Sequence, residues 1–60
     1  MYMLIEQPNG DEARRAFDAL DDAFGTDDFS KEDAMEVLSN RGFSGNMFNA
    51  LLMSGSISEA

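Results

Sequence analysis

Carboxylates are the side chains with the most chemical potential in this 60-residue chain, and they cluster between Asp18 and Asp33. The segment FDALDDAFGTDDFSKEDAMEVL has the rhythm of a helix–loop–helix calcium site, with Phe29 at the place of the central loop hydrophobe. A calcium loop needs oxygen ligands at its first, third and fifth positions, glycine at the sixth and glutamate at the twelfth. In this register the third position is Phe24, the sixth is Asp27 and the twelfth is Asp33. The pattern therefore disfavours calcium binding.

Paired carboxylates can also act as the general acid and base of a hydrolase. Asp18, Asp21 and Asp22 share one helix face at spacings of three and four residues, but that face lies opposite the apolar stripe and is expected to be solvated. A general acid near neutral pH needs burial or a like-charged neighbour in a cleft. The chain has no His and no Cys, and it shows no nucleophile–base pair and no phosphate-binding loop. We therefore predict a protein that is not an enzyme and that uses no cofactor or metal.

The same carboxylates are suited to contact with a basic protein. Twelve acidic residues against four basic ones give a formal net charge of −8, which repels nucleic acid and anionic membranes and steers encounters with basic surfaces. Small acidic proteins of phages and plasmids, CRISPR inhibitors among them, use such surfaces to imitate nucleic acid. The predicted partner-binding acidic face consists of Asp18, Asp21, Asp22, Asp27, Asp28 and Glu32.

A first helix is predicted over residues 11–24. Asn9 and Glu12 have the spacing of a capping box at its start, and Gly25 is expected to end it. Its apolar side chains recur along one face at the period of an α-helix. The residues of that face are Ala13, Ala16, Phe17, Leu20, Ala23 and Phe24.

A second helix is predicted over residues 30–41. Ser30 is its expected N-cap, with Asp33 as the returning acid of a capping box and Phe29 and Ala34 as a hydrophobic staple. After the helix, Gly42 is expected to adopt the left-handed conformation. That conformation would place Phe43 against Leu38, as in a Schellman motif.

The remaining elements are a third helix over residues 45–54 and short strands over residues 2–6 and 56–58. Ser44 or Asn46 is the expected cap of the third helix, and Gly55 ends it. The sequence thus predicts a mainly α, three-helix, helix-turn-helix-like fold with one to three short β-strands, in a single domain over residues 1–60. A chain of this length buries a marginal core, and without disulfides a homodimer is one way to stabilise it.

The segment KEDAMEVLSNRGFSGNMFNALLMSGSIS resembles the helix-turn-helix core of winged-helix domains. The shared pattern is a helix, a glycine turn, a second helix and a glycine before a short strand. This resemblance covers about half of the chain and implies that the third helix reads DNA. Asn46 and Asn49 are its side chains that can contact base edges, but no cation follows Arg41 to hold phosphates. Direct nucleic-acid binding is therefore not expected, and a DNA-binding transcriptional regulator from a salt-adapted organism is the alternative.

The third helix also carries a wide apolar surface, in which Met47, Phe48 and Met53 are predicted to contact a partner. Packing of these side chains in the core alone is the competing interpretation. No apolar run is long enough to span a bilayer, so a cytoplasmic location is expected. The function predicted from the sequence is a small acidic protein-binding regulator or inhibitor of a basic, nucleic-acid-binding type of protein. An assembly subunit of a larger complex is a further alternative.

Overall fold

A computed structural model describes residues 1–60 as three helices and two short strands. The predicted mainly α class with short strands is confirmed. None of the three helices combines the length and the apolar character that a membrane crossing requires. In chain order the elements are β1 (Tyr2–Leu4), α1 (Asp11–Phe24), α2 (Lys31–Asn40), α3 (Met47–Met53) and β2 (Ile57–Glu59).

The two strands form an antiparallel sheet. Tyr2 lies opposite Glu59, and Leu4 lies opposite Ile57. On the other side of β1, Tyr2 and Phe29 exchange two backbone hydrogen bonds of 2.7 and 2.9 Å. β1 therefore lies between β2 and the residue that precedes the N-cap of α2. Both predicted strands are present and pair with each other, but β1 is two residues shorter than the predicted 2–6 and β2 lies one residue later than 56–58.

Helix α1 has the predicted bounds. Its N-cap and the burial of two of its alanines differ from the prediction. Its N-cap is Gly10 and no side chain caps it, so the predicted capping box of Asn9 and Glu12 is wrong. Ala19 is buried, whereas Ala23, predicted to lie on the apolar face, is exposed. These two alanines lie one turn apart on the same flank, and only the first is covered by neighbouring elements.

The start of α2 is determined by residues next to it in the sequence. The Oγ of Ser30 accepts a hydrogen bond of 3.0 Å from the Asp33 N–H, which confirms the N-cap, while the reciprocal bond of a full capping box is not formed. Phe29 and Ala34 are both buried in the core, at the two positions of a hydrophobic staple. The helix therefore begins where its sequence indicates.

The end of α2 is a Schellman motif, as predicted. The Phe43 N–H donates to the Leu38 carbonyl at 2.9 Å, and the Gly42 N–H donates to the Ser39 carbonyl at 3.0 Å. Gly42 has a φ of 84°, which an L side chain adopts only at a cost. Phe43 packs against the core cluster that contains Leu38. This turn directs the chain from α2 into α3.

Helix α3 is shorter than the predicted 45–54, and no side chain caps it. Asn46 occupies the N-cap position without a side-chain hydrogen bond, and the Met47 N–H donates to the backbone carbonyl of Ser44 at 3.1 Å. The predicted capping by the side chain of Ser44 or Asn46 is therefore wrong. At the other end, Gly55 has a φ of 82° and the Ser56 N–H donates to the Leu51 carbonyl at 3.0 Å. The predicted stop at Gly55 is confirmed.

The core draws on all three helices, on β2 and on the segment between α1 and α2. Two pairs of aromatic rings are in contact in and around this core. The ring of Tyr2 meets Phe48 edge to face at 5.0 Å, and Phe24 stacks on Phe29 at 4.8 Å. Each large side chain buried in this way stabilises the fold by about 1.5–3 kcal/mol. The core cluster consists of Ala16, Phe17, Leu20, Phe29, Ala34, Leu38, Met47, Phe48, Leu51 and Ile57.

Candidate partner-binding surface

The carboxylates of the acidic face predicted on α1 make different contacts. Asp18 accepts a hydrogen bond of 2.6 Å from the Gln7 side chain, in the segment that follows β1. Asp22 forms an ion pair with Arg41 at 2.9 Å, beyond the end of α2. Asp21 lies between them in sequence and has no side-chain partner. The predicted face therefore contacts the N-terminal segment through Asp18 and the end of α2 through Asp22.

The other predicted acidic residues are solvent-exposed. Asp27 and Asp28 lie in the segment between α1 and α2, where the Asp27 N–H donates to the Phe24 carbonyl at 3.0 Å. Glu32 lies in the first turn of α2. None of these three carboxylates makes a side-chain hydrogen bond or an ion pair within the chain. Only Asp22 of the predicted acidic surface is paired with a cation, so the unneutralised part of that surface consists of Asp18, Asp21, Asp27, Asp28 and Glu32.

A shallow groove of about 470 Å³ lies between β1 and the C-terminal half of α1, and we name it the β1–α1 groove. The apolar side chains of Met3 and Ile5 line one of its sides. Met3 is 40% exposed and Ile5 is 51% exposed. Asp21 and Gln7 bring polar groups to its lining. The residues that define it are Met3, Leu4, Ile5, Gln7, Phe17 and Asp21.

Sequence reasoning missed Met3 and Ile5 as candidate contact residues. The signal that identifies them is the alternation of a strand, in which side chains point to opposite faces in turn. Tyr2 and Leu4 are half-buried and pack against the core, whereas Met1, Met3 and Ile5 are exposed. The same alternation in MYMLI therefore separates a core face from an outer face.

The apolar residues predicted on α3 occupy two different environments. Met47 and Phe48 are only 7% and 2% exposed and belong to the core. Their side chains are therefore almost fully covered, because α3 packs against α1, α2 and β2, and Phe48 reaches the surface only in the lining of a groove between α2 and α3. Met53 is 87% exposed at the end of the helix. Only the Met53 part of the predicted apolar contact is well exposed.

The two asparagines predicted for base contacts, Asn46 and Asn49, are both exposed. Asn46 lies at the N-cap position of α3, and Asn49 lies within the helix. No Lys or Arg belongs to α3. Lys31 of α2 places its Nζ 5.8 Å from the centre of the Phe48 ring of α3.

The carboxylates do not converge on a common point. No three acidic side chains in residues 1–60 lie close enough together to hold a metal ion. The geometry instead spreads them around the C-terminal half of α1 and the start of α2. Spread carboxylates interact with a partner through their summed field and individual ion pairs.

Comparison of the chain with models of protein families, with curated proteins and with solved structures gives no match. The resemblance of the segment from Lys31 to Ser58 to winged-helix domains therefore stays a prediction.

Proposed function

We propose that this chain is a small, non-enzymatic regulator or inhibitor that binds a protein partner with a basic surface. One observation carries the proposal: in the β1–α1 groove, the exposed side chains of Met3 and Ile5 lie in the same lining as the free carboxylate of Asp21. Apolar side chains at the centre of an interface supply most of its affinity. Carboxylates at its edge select a basic partner and accelerate encounter.

The charge around the groove supports a basic partner over a neutral one. Thr26 is part of the groove lining, and the exposed carboxylates of Asp27 and Asp28 follow it directly in the chain. Of the four cations, Arg41 neutralises Asp22 and the Arg14 Nε donates to the Pro8 carbonyl at 3.2 Å. The other carboxylates on this side, Asp21, Asp27 and Asp28, make no ion pair within the chain.

The partner class that fits such a surface is a protein whose own basic surface holds nucleic acid. Lysine and arginine side chains that contact phosphates can contact carboxylates instead, since both are anionic oxygen acceptors. A chain with a net charge of −8 that occupies such a surface would exclude the nucleic acid. Inhibition by nucleic-acid mimicry is the mechanism we propose.

Affinity capture from the native host, followed by mass spectrometry, would identify the partner. The interface is then tested by Asp21→Lys, with binding measured by calorimetry at low and at high salt. We expect about tenfold weaker binding, because one favourable charge contact becomes a repulsion beside the apolar contact.

The matched control for this reversal is Glu59→Lys. Glu59 is exposed, and the strand register places its side chain on the sheet face opposite to Met3. We expect this control to keep most of the affinity. Equal losses in the two variants would show that only net charge matters, and unchanged binding of Asp21→Lys would contradict the proposed interface.

The DNA-binding alternative is tested by a separate measurement. If α3 reads DNA through Asn46 and Asn49, a mobility-shift assay at low or at molar salt should retain a DNA fragment, and Asn49→Ala should abolish the retention. We expect no retention under either condition, because α3 brings no cation to the phosphates.

A further inference from the structure

We propose that a second groove, between α2 and the start of α3, binds a segment of a partner protein in which an apolar side chain is flanked by lysine or arginine. This α2–α3 groove has a volume of about 540 Å³. It lies apart from the β1–α1 groove and shares no lining residue with it. The residues that carry the proposal are Glu32, Met35, Glu36, Leu38, Phe43 and Phe48.

The floor of the α2–α3 groove is apolar and firmly held. Leu38 and Phe48 are core residues, and Phe43 is fixed beside them by the Schellman motif at the end of α2. Met35 is 38% exposed and belongs to the same lining. Methionine is unbranched and adapts to ligands of different shape. A rigid aromatic floor with one adaptable side chain at its edge suits an apolar side chain of a partner.

The edge of the groove is acidic. Glu32 and Glu36 are one helical turn apart on α2, so their carboxylates lie on the same side of the helix. No Lys or Arg belongs to the lining. Of the nearby cations, Arg41 binds Asp22, and Lys31 lies over the ring of Phe48 at the groove, so the two glutamates outnumber the single cation there. The two glutamates therefore select a segment with basic residues beside its apolar one.

The same charges disfavour a second copy of this chain as the occupant. Each copy carries a net charge of −8 and only four cations. Three of these cations already make contacts within the chain: Arg14 with Pro8, Lys31 with Phe48 and Arg41 with Asp22. A second copy would thus bring repulsion rather than basic flanks to the groove. The geometry and the charge both point to a different, basic protein.

The test uses a fluorescein-labelled helical peptide of about twelve residues with leucine at helix-face spacing and lysine between. Binding to the full chain is measured by fluorescence anisotropy. We expect Met35→Ser to weaken binding about fivefold, through loss of apolar contact. The double variant Glu32→Gln with Glu36→Gln should weaken it by a similar factor, mainly at low salt.

Two matched controls separate the groove from general surface effects. Met53→Ser removes an exposed methionine outside the groove, and Glu6→Gln with Glu59→Gln removes two exposed carboxylates outside it. Both controls should bind the peptide nearly as well as the unmodified chain. Circular dichroism of every variant checks that the helices are retained, so a loss of binding is not a loss of fold.

Amide chemical-shift mapping locates the peptide. Shifts centred on residues 35–45 would support the proposal. Three results would overturn the proposal. The first is a set of shifts confined to residues 3–7 and 21–26. The others are equal binding of a peptide with serine in place of leucine and unchanged peptide binding by Met35→Ser. Sedimentation that shows self-association lost in Met35→Ser would also overturn it, by assigning the groove to a second copy. These outcomes leave the β1–α1 interface untouched, because its test uses Asp21.

Discussion

Helix α3 and strand β1 carry similar apolar side chains that differ in their exposure to solvent. In α3, Met47, Phe48 and Leu51 are buried. In β1 and the residue after it, Met3 and Ile5 are exposed. The helix contacts α1, α2 and β2, whereas the strand is covered on one face only. Residue type therefore does not distinguish a core methionine from a surface one in this molecule. The face of the element on which the side chain lies does, since Met53 of the same helix is 87% exposed.

Because of this difference in exposure, the apolar side chains of α3 contribute to stability and the outward ones of β1 are available for binding. Apolar side chains of α3 stabilise the fold because water is excluded from them in the native state. The outward side chains of β1 remain in water until a partner covers them, so their apolar area is available for an interface. Substitutions in the two regions should therefore have different readouts, and they can be ordered by the size of the expected effect.

The largest effect is expected from Phe48→Ala. Phe48 is 2% exposed and meets the Tyr2 ring at 5.0 Å, so its truncation removes a central part of the core and leaves a cavity. Truncation of a buried phenylalanine costs about 3–5 kcal/mol, which for a domain of this size is most of its stability. Urea denaturation followed by circular dichroism measures the loss. The control, Met53→Ala, should change stability by less than about 0.5 kcal/mol.

The next effect concerns the turn that brings α3 onto the core. Gly42→Ala places a Cβ on a residue with a φ of 84° and should cost about 1–2 kcal/mol. Gly45→Ala is its matched control, since Gly45 lacks a positive φ and a Cβ there meets nothing within 4 Å. That control should be neutral or stabilise by about 0.5 kcal/mol. Equal losses in the two variants would show that the left-handed turn is not what holds α3 in place.

A smaller effect on stability is expected from Met3→Thr. Threonine keeps a high preference for strands, and the outward side chain at this position is 40% exposed. The free energy of unfolding should change by about 0.5 kcal/mol or less, while binding of the captured basic partner should weaken. A large loss of stability would show that Met3 contributes to the core, and β1 and α3 would then not differ in how their apolar side chains act.

The smallest effect is expected from the ion pair that links α1 to the end of α2. Asp22 and Arg41 are both well exposed, and exposed pairs contribute about 0–1 kcal/mol. Solvent screening places this pair at the lower end of that range, so a double-mutant cycle with Asp22→Asn and Arg41→Gln should give about 0.3 kcal/mol. Added salt should reduce the coupling further. A coupling above 1 kcal/mol would show that the pair fixes the packing of the two helices.

Local sequence signals predicted much of the architecture. The N-cap at Ser30 and the Schellman motif at Gly42 depend on residues within about one helical turn of each other, and the bounds of α1 follow its own apolar periodicity. Where local signals competed, prediction was poorer. Asn9 has the spacing of a cap, but the helix starts after Gly10 and leaves Asn9 outside it.

The candidate surface was less predictable than the fold. Helical periodicity placed the carboxylates of α1 on one side, but it could not show that Asp18 meets Gln7 and that Asp22 meets Arg41. Both partners are distant in sequence, and exposed side chains leave no periodic pattern that indicates a pairing. For the same reason the sequence did not indicate that Asp21 shares a groove with Met3.

By itself, the sequence determined the elements, the N-cap of α2, the glycine turns and the net charge, because these depend on the properties of single residues and their near neighbours. Tertiary structure alone decided that Met47 and Phe48 are core while Met3 and Ile5 are surface. It also decided that Tyr2 joins the chain terminus to Phe29. Burial is a property of how elements pack around a side chain, and packing brings together residues that no local pattern connects.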